Sequence, residues 1–377
     1  MTRQRIYLDH NATMVLRPCA RAAMMSALDE VVNPSSVHQE GRRARRVIED
    51  AREQIAELAG ARPSEVVFTS GATEANVWVM RAGWDAVAVS AIEHPSVLVP
   101  AKAADSRVWE VGASATGVAD VGAFADLILG DEAFQGRRLV SLQAANNETG
   151  VIQPIADVAA FCRAHDVCFH TDAVQLAGRR KLDFGALGAD LMSLSAHKIG
   201  GPMGVGALII RDGSPLSAMI SGGGQERSRR SGTENFAGIA GFGAAAEAAG
   251  REVAEIAQVG RKRDQLEAGG KVISPDAIVI GQAAERLANT SCLALPGRSA
   301  ETTVIKLDLA GIAVSAGSAC SSGKVGASHV LATMGLADED ARSVIRVSIG
   351  WNTTDADISA FLAAWRTLAD GQQRDVA

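Results

Sequence analysis

The chain has 377 residues, of which 47% are hydrophobic, 21% charged and 4% aromatic. That is globular composition, long enough for two domains and for a real core without disulfides or metals. The net charge of −6 supplies no basic field for nucleic acid or anionic lipid, and no run approaches the roughly 18 apolar residues of a membrane helix.

The opening residues lack the apolar stretch of a secretory leader, so the expected location is cytoplasmic. The five cysteines, Cys19, Cys162, Cys168, Cys292 and Cys320, form no Cys-x-x-Cys pair and are expected as free thiols. Cys19 is expected to open a helix and, like Cys162, Cys168 and Cys292, to be buried and inert.

A helical period runs from Glu40 to Ala59, with Ala44, Val47, Ile48, Ala51, Ile55 and Leu58 on one face. Arg42, Arg43, Arg45 and Arg46 then make a solvated face rather than a nucleic-acid patch. Short apolar runs follow at Val66 to Phe68, Ala86 to Val89, Leu139 to Leu142, Val167 to Phe169, Leu191 to Leu194 and Ala207 to Ile210. Helical segments separate several of them, the βαβ pattern of a mostly parallel sheet in an α/β protein. From about Gly250 the alternation loosens. A charged helix from Arg251 to Leu266 and strands at Ala277 to Ile280 and Val344 to Ile349 predict a smaller α+β unit. The expected division places 15–249 in a large domain, with 1–14 and 250–377 in the small one.

In parallel α/β sheets ligands sit at the carboxyl ends of strands, so the residues following each run carry the chemistry. Thr69-Ser70-Gly71-Ala72-Thr73-Glu74 opens a helix and offers N–H groups and hydroxyls to an anion, although the same residues also read as an ordinary helix cap. His170-Thr171-Asp172-Ala173-Val174-Gln175 places a carboxylate where a protonated ring nitrogen could be held. A competing reading joins Cys162, His165, Cys168 and His170 into a metal cluster, but the spacing matches no common zinc pattern. Ser195-Ala196-His197-Lys198 sets a lysine among glycines, where an amine can form a Schiff base, and Glu93-His94-Pro95 adds a histidine able to stack or shuttle a proton. An anion cradle, a carboxylate and a lysine are the handles that pyridoxal phosphate needs. No Walker, nucleophile-elbow or dinucleotide fingerprint competes.

These segments resemble the NifS/IscS-like cysteine desulfurases, fold-type I pyridoxal-phosphate enzymes of the class-V aminotransferase family. The likeness includes Tyr7 to Thr13, Asn33 to His38, Asn146 to Gly150, Gly222 to Glu226, Arg230 to Asn235, Gly317 to Gly323 and Arg342 to Ser348. The resemblance implies a large domain with a mostly parallel sheet and pyridoxal 5'-phosphate as cofactor. Lys198 would hold the aldehyde, Asp172 the pyridine nitrogen and Gln175 the ring hydroxyl, while His94 would stack on the ring. Ala72, Thr73, Ser195 and His197 would bind phosphate, joined by Thr233 from the second subunit of a homodimer. Asn147 and Arg346 would take the substrate carboxylate, and Cys320 would accept sulfur from L-cysteine as a persulfide and pass it to an acceptor such as an iron-sulfur scaffold protein. Met14 and Val77 depart from the family's usual residues at positions without a chemical role. Gly311, Gly317, Gly323 and Gly326, with serines between them, give the Cys320 segment the freedom such a relay needs. A selenocysteine lyase, another enzyme of the same fold, or a non-catalytic sulfur-transfer subunit remain alternatives.

Overall fold

The computed structural model describes residues 5–130, 132–317 and 328–375, the side chains of 371–375 excepted. Cys320 lies outside the described residues. Strand β1 spans Ile6–Tyr7, followed by β2 Val66–Thr69, β3 Ala86–Ser90, β4 Arg107–Val111, β5 Arg138–Ser141, β6 Cys168–Asp172, β7 Leu191–Ser195 and β8 Gly206–Ile210. Strands β2 to β8 form one sheet in the order β2-β8-β7-β6-β5-β3-β4. Its neighbours are parallel except β8, which runs antiparallel to both β2 and β7.

The near-continuous apolar runs arise because both faces of this sheet are covered. Side-chain alternation divides each strand between two cores: Ala86 and Ala88 join Ile48, Ile55 and Phe169 on one face, while Val87 and Val89 join Trp78, Leu139 and Leu208 on the other. The helix Gln39–Ala59 follows its predicted period and packs against the helix Phe236–Glu252, with Arg42, Arg43, Arg45 and Arg46 exposed.

The smaller unit contains β9 Ile278–Val279, β10 Thr290–Ala294, β11 Ile312–Ala313, β12 Ser315–Ala316 and β13 Val344–Ser348. Four of these form an antiparallel sheet in the order β12-β13-β10-β9, and β1 pairs in parallel with β11. Leu8 is thereby packed with Leu266, Leu293, Ile345, Phe361 and Trp365 in one core.

Three expectations need correction. The charged segment at 251–266 is two helices, because Phe236–Glu252 continues past Gly250 and a short turn at Val253–Glu255 precedes Ile256–Ile273. The strand expected to end at Phe169 begins at Cys168 and ends on Asp172; its polar His170 and Thr171 are buried as strand residues, and sheet position outweighs hydropathy there. Cys19, expected to be buried, is exposed near the start of the helix Pro18–Leu28, its thiol 3.6 Å from the Ala244 carbonyl.

Candidate active site

A cavity of about 770 Å3 opens at the carboxyl ends of β6 and β7, bounded on one side by the start of the helix Ala72–Met80 and on the other by residues of β12 and β13. Its size and place are those of a small-molecule site in an α/β sheet.

Asp172, the last residue of β6, is buried in its wall. Its Oδ2 accepts a hydrogen bond from the Asn76 side-chain amide at 2.8 Å, and its Oδ1 accepts from the Val174 N–H at 3.0 Å. Both donors are neutral, so the carboxylate keeps its charge for something in the cavity. Asn76 also donates to Ser96 Oγ at 2.9 Å. Ser96 in turn meets His94, the residue that caps the helix Pro95–Lys102: His94 Nδ1 accepts from the Ser96 N–H at 3.0 Å. Burial pushes the His94 imidazole's pKa down; Asp172 opposes this, and Lys198 and His329 reinforce it.

Lys198 closes a tight turn, Ala196–Lys198, directly after β7. Its Nζ reaches back to the carbonyls of Asn11 and Ala12 at 2.5 and 3.0 Å. Beside it, His197 Nδ1 lies 3.2 Å from Thr13 Oγ1, and burial, with Lys198 and Arg179 adding to it, pulls that imidazole down to about 4. Gln175 donates to the Asn11 carbonyl at 3.1 Å and accepts from Arg179. Arg179 is buried, donates to the Lys198 carbonyl at 3.4 Å, and is pulled down to about 9 by burial and by Arg346.

Ser70, Gly71, Ala72 and Thr73 line the anion-facing end with Ser195. The first N–H groups of a helix have no partner within it, which makes this end a natural seat for phosphate. The cap reading holds in part as well, because the Glu74 carboxylate takes the Ser70 N–H at 2.9 Å and is itself paired with Arg230. Gly206 permits the close approach of this turn to the sheet: a Cβ on it would lie 2.7 Å from the Gly71 Cα.

Across the cavity Arg346 projects from the interior of the small sheet and is buried. Its Nη1 donates to the Asn147 carbonyl at 3.0 Å and its Nη2 to Asp9 Oδ1 at 2.9 Å, while its buried Nε has no hydrogen-bond partner among the described residues. Ser315 Oγ donates to Asp9 Oδ2 at 2.8 Å.

Thus His94, Ala72, Thr73, Asp172, Gln175, Ser195, His197, Lys198, Asn147 and Arg346 meet in one cavity. Thr233 of the same chain lines a neighbouring space of about 150 Å3 that shares Ser70 and Gly204 with the main cavity. The competing metal reading of Cys162, His165, Cys168 and His170 finds no support in the geometry: no group of three or more His, Cys, Asp or Glu side chains is placed to hold an ion among the described residues. His170 is held in the sheet between Ser141 and Ser193, at 2.8 and 3.0 Å. Burial raises the Cys162 thiol to about 12 and raises Cys168 and Cys292 well above the usual thiol range. Sequence reasoning gave no role to Asp9, Asn11, Asn76, Ser96 or Arg179, although Asp9 and Asn11 lie inside the Tyr7 to Thr13 segment that carries the family resemblance.

The residue set fits pyridoxal phosphate: an ionisable wall at Asp172, an amine at Lys198 and a helix N-terminus stand around one space of suitable volume.

The class-V aminotransferase family profile matches residues 6–361. The chain is 39% identical to a cysteine desulfurase of Cereibacter sphaeroides over 97% of this chain and 96% of that one. It is 37% identical to the cysteine desulfurase IscS of Dictyoglomus turgidum over 95% and 92%. The structure of a NifS-like protein from Rickettsia africae superposes with a TM-score of 0.90 at 36% identity, covering 97% of this chain and 100% of that one.

Proposed function

The chain belongs to the NifS/IscS-like cysteine desulfurases of the class-V aminotransferase family, and from that premise we propose that its cavity holds pyridoxal 5'-phosphate and takes sulfur from L-cysteine, leaving L-alanine and a persulfide on Cys320. The observation that carries this reading is the meeting of Asp172, Lys198 and the start of the helix Ala72–Met80 in a cavity whose facing wall bears Arg346. Asp172 would hold the ring nitrogen, Gln175 the ring hydroxyl and Lys198 the aldehyde, with His94 over the ring. Ala72, Thr73, Ser195 and His197 would hold the phosphate, completed by Thr233 of a second subunit.

When bound, pyridoxal phosphate supplies an electron sink that stabilises negative charge at the substrate's α-carbon. The chain's own groups do the rest. Arg346 presents a guanidinium fork to the substrate carboxylate, with Asn147 beside it. Lys198 Nζ is the base that moves the α-proton. His94, kept neutral near pH 7 by its lowered pKa, has Nδ1 tied to Ser96, leaving Nε2 as the ring nitrogen for the cavity. Cys320, as thiolate, attacks the substrate sulfur in the in-line manner of thiol–disulfide exchange: the new S–S bond forms as the substrate's Cβ–S bond breaks, the electron pair stays with the carbon, and a proton there completes the alanine side chain. Residues 15–249 form the cofactor-binding unit, and 1–14 with 250–377 supply the substrate clamp and the sulfur relay. In this reading the enzyme is a cytoplasmic homodimer that delivers sulfur to a separate acceptor, such as an iron-sulfur scaffold protein. No helix among the described residues is long and apolar enough to cross a membrane.

Borohydride reduction of the cofactor-loaded protein followed by peptide mapping should label Lys198, and L-cysteine should yield alanine with a persulfide on Cys320. A label on another lysine, or a Cys320→Ser protein that still carries a persulfide, would overturn these assignments.

A further inference from the structure

A continuous buried path joins the two groups assigned to the cofactor ring. The Asn76 amide nitrogen donates one hydrogen to Asp172 Oδ2 and the other to Ser96 Oγ, at 2.8 and 2.9 Å. Ser96 Oγ lies 2.7 Å from His94 Nδ1, which already accepts the Ser96 backbone N–H. A backbone N–H can only donate, so His94 Nδ1 carries a lone pair and the imidazole proton sits on Nε2. With Asn76 donating to its oxygen, the Ser96 hydroxyl points its own hydrogen at the same Nδ1. Asn76 has no freedom to turn round: flipping it would set its oxygen against the Asp172 carboxylate. Its Oδ1 is buried without a hydrogen-bond partner among the described residues, so the bonds that fix the orientation are made by the nitrogen.

We propose that Asn76 is a positioning residue that aims the Asp172 carboxylate at the ring and, acting through Ser96, fixes His94 as the Nε2–H tautomer. His94 therefore enters the reaction as a proton donor at Nε2, and the α-proton is left to Lys198. The inference rests on the assignment of Asp172 and His94 given above and adds residues to which that assignment gave no part. The charged and titratable groups facing the pair are Glu93, Lys198 and His329. Glu93 is buried with its Oε1 accepting from the Gln143 N–H, and both burial and the neighbouring Asp172 raise its pKa.

The test compares three variants of the cofactor-loaded enzyme with wild type. Asn76→Ala should lower kcat on L-cysteine about tenfold, the cost of one charge-assisted hydrogen bond, with KM little changed. Asn76→Asp conserves volume but reverses the donor, so it should fall below Asn76→Ala at pH 8 and recover as acid protonates the introduced carboxyl. A residue that merely fills space would rank the two variants the other way at every pH. Independently of turnover, 15N-histidine spectra should show wild-type His94 with its proton on Nε2, and Ser96→Ala should move the His94 signals while leaving cofactor binding intact. Asn76→Asp matching or exceeding Asn76→Ala throughout the pH range, or a proton on His94 Nδ1 in wild type, would overturn the proposal. Failure of the underlying site assignment would appear differently, as borohydride label away from Lys198 in the wild-type protein.

Discussion

The two walls of the cavity hold their carboxylates in opposite ways. On the large-sheet wall, Asp172 is fixed by a side-chain amide and a backbone N–H, both neutral and both close by in the fold. On the small-sheet wall, Asp9 is paired with a guanidinium 337 residues away in sequence and with the Ser315 hydroxyl. Neutral donors leave a carboxylate's charge available to a ligand, whereas an ion pair spends it on a neighbour. The first wall is thus a fixed frame for a resident group. In the proposed function the second is a clamp whose internal pair a substrate carboxylate would enter and share.

On that contrast, the frame governs the chemical step and the clamp governs capture. Lys198→Ala should have the largest effect: loss of a positioned proton carrier costs about 10²–10⁴-fold in kcat, before any loss of cofactor retention is counted. Asp172→Ala should also act on kcat, with the fold intact by circular dichroism. Turnover within a few-fold of wild type in either variant would break the comparison at its stronger end.

Arg346→Ala should act mainly on KM. A charge-assisted hydrogen bond contributes roughly 1.5–3 kcal/mol, so KM should rise by about one to two powers of ten. Steady-state kinetics with L-cysteine give the split directly, and a KM at the wild-type level would remove Arg346 from carboxylate recognition. Asp9→Asn is subtler. It keeps the shape and one acceptor for Arg346 but removes a negative charge that competes with the substrate carboxylate. KM should fall two- to threefold while kcat also falls, since Arg346 is less firmly aimed; a rise in KM would mean that aiming outweighs competition.

The frame was more legible in the sequence than the clamp. Each of its residues follows an apolar run, and the rule that ligands meet parallel strands at their carboxyl ends turned position in sequence into position in space: Asp172 and Lys198 follow directly. The runs left β4 unmarked, because Arg107–Val111 mixes arginine and glutamate at a half-exposed sheet edge. In the small sheet β10, TSCLA, is wholly buried, yet its first three residues are not strongly apolar, so it gave little signal. Arg346 in the clamp was reached only through resemblance. Periodicity has no means of joining Asp9 to Arg346, a contact made by β1 entering the small unit beside β11. Asn76 was hidden for another reason: helical period marks it only as a buried position, and its amide matters through what three other segments place around it.

The walls also differ in how they answer to pH, and this yields the smallest expected effect. Burial holds several imidazoles neutral: in the large sheet and its turn His170 is pulled down to about 3 and His197 to about 4, and beside Asp9 His10 is pulled down to about 4. A histidine whose folded pKa lies below its unfolded value near 6.5 contributes stability that is present above that value and lost as pH falls through it. The clamp side carries Glu148, which accepts from Ser328 and is pushed up to about 7, chiefly by burial, with Ser328 and Arg346 opposing. Its sign is reversed: the folded state holds the proton longer than the unfolded one, so stability present at low pH is lost as pH rises from about 4.5 through 7. Near pH 5.5 the unfolded chain takes up protons on the three imidazoles and releases one at Glu148, so the melting temperature should rise from pH 5 to 6.5 despite the opposing carboxyl. Above pH 7 only the Glu148 effect remains of these four. Glu148→Gln, which mimics the protonated carboxyl, should therefore match wild type in melting temperature at pH 5 and exceed it by a few degrees at pH 8. Equal melting temperatures at both pH values would show that the Ser328 hydrogen bond and Arg346 together hold the ionised form as well as the neutral one.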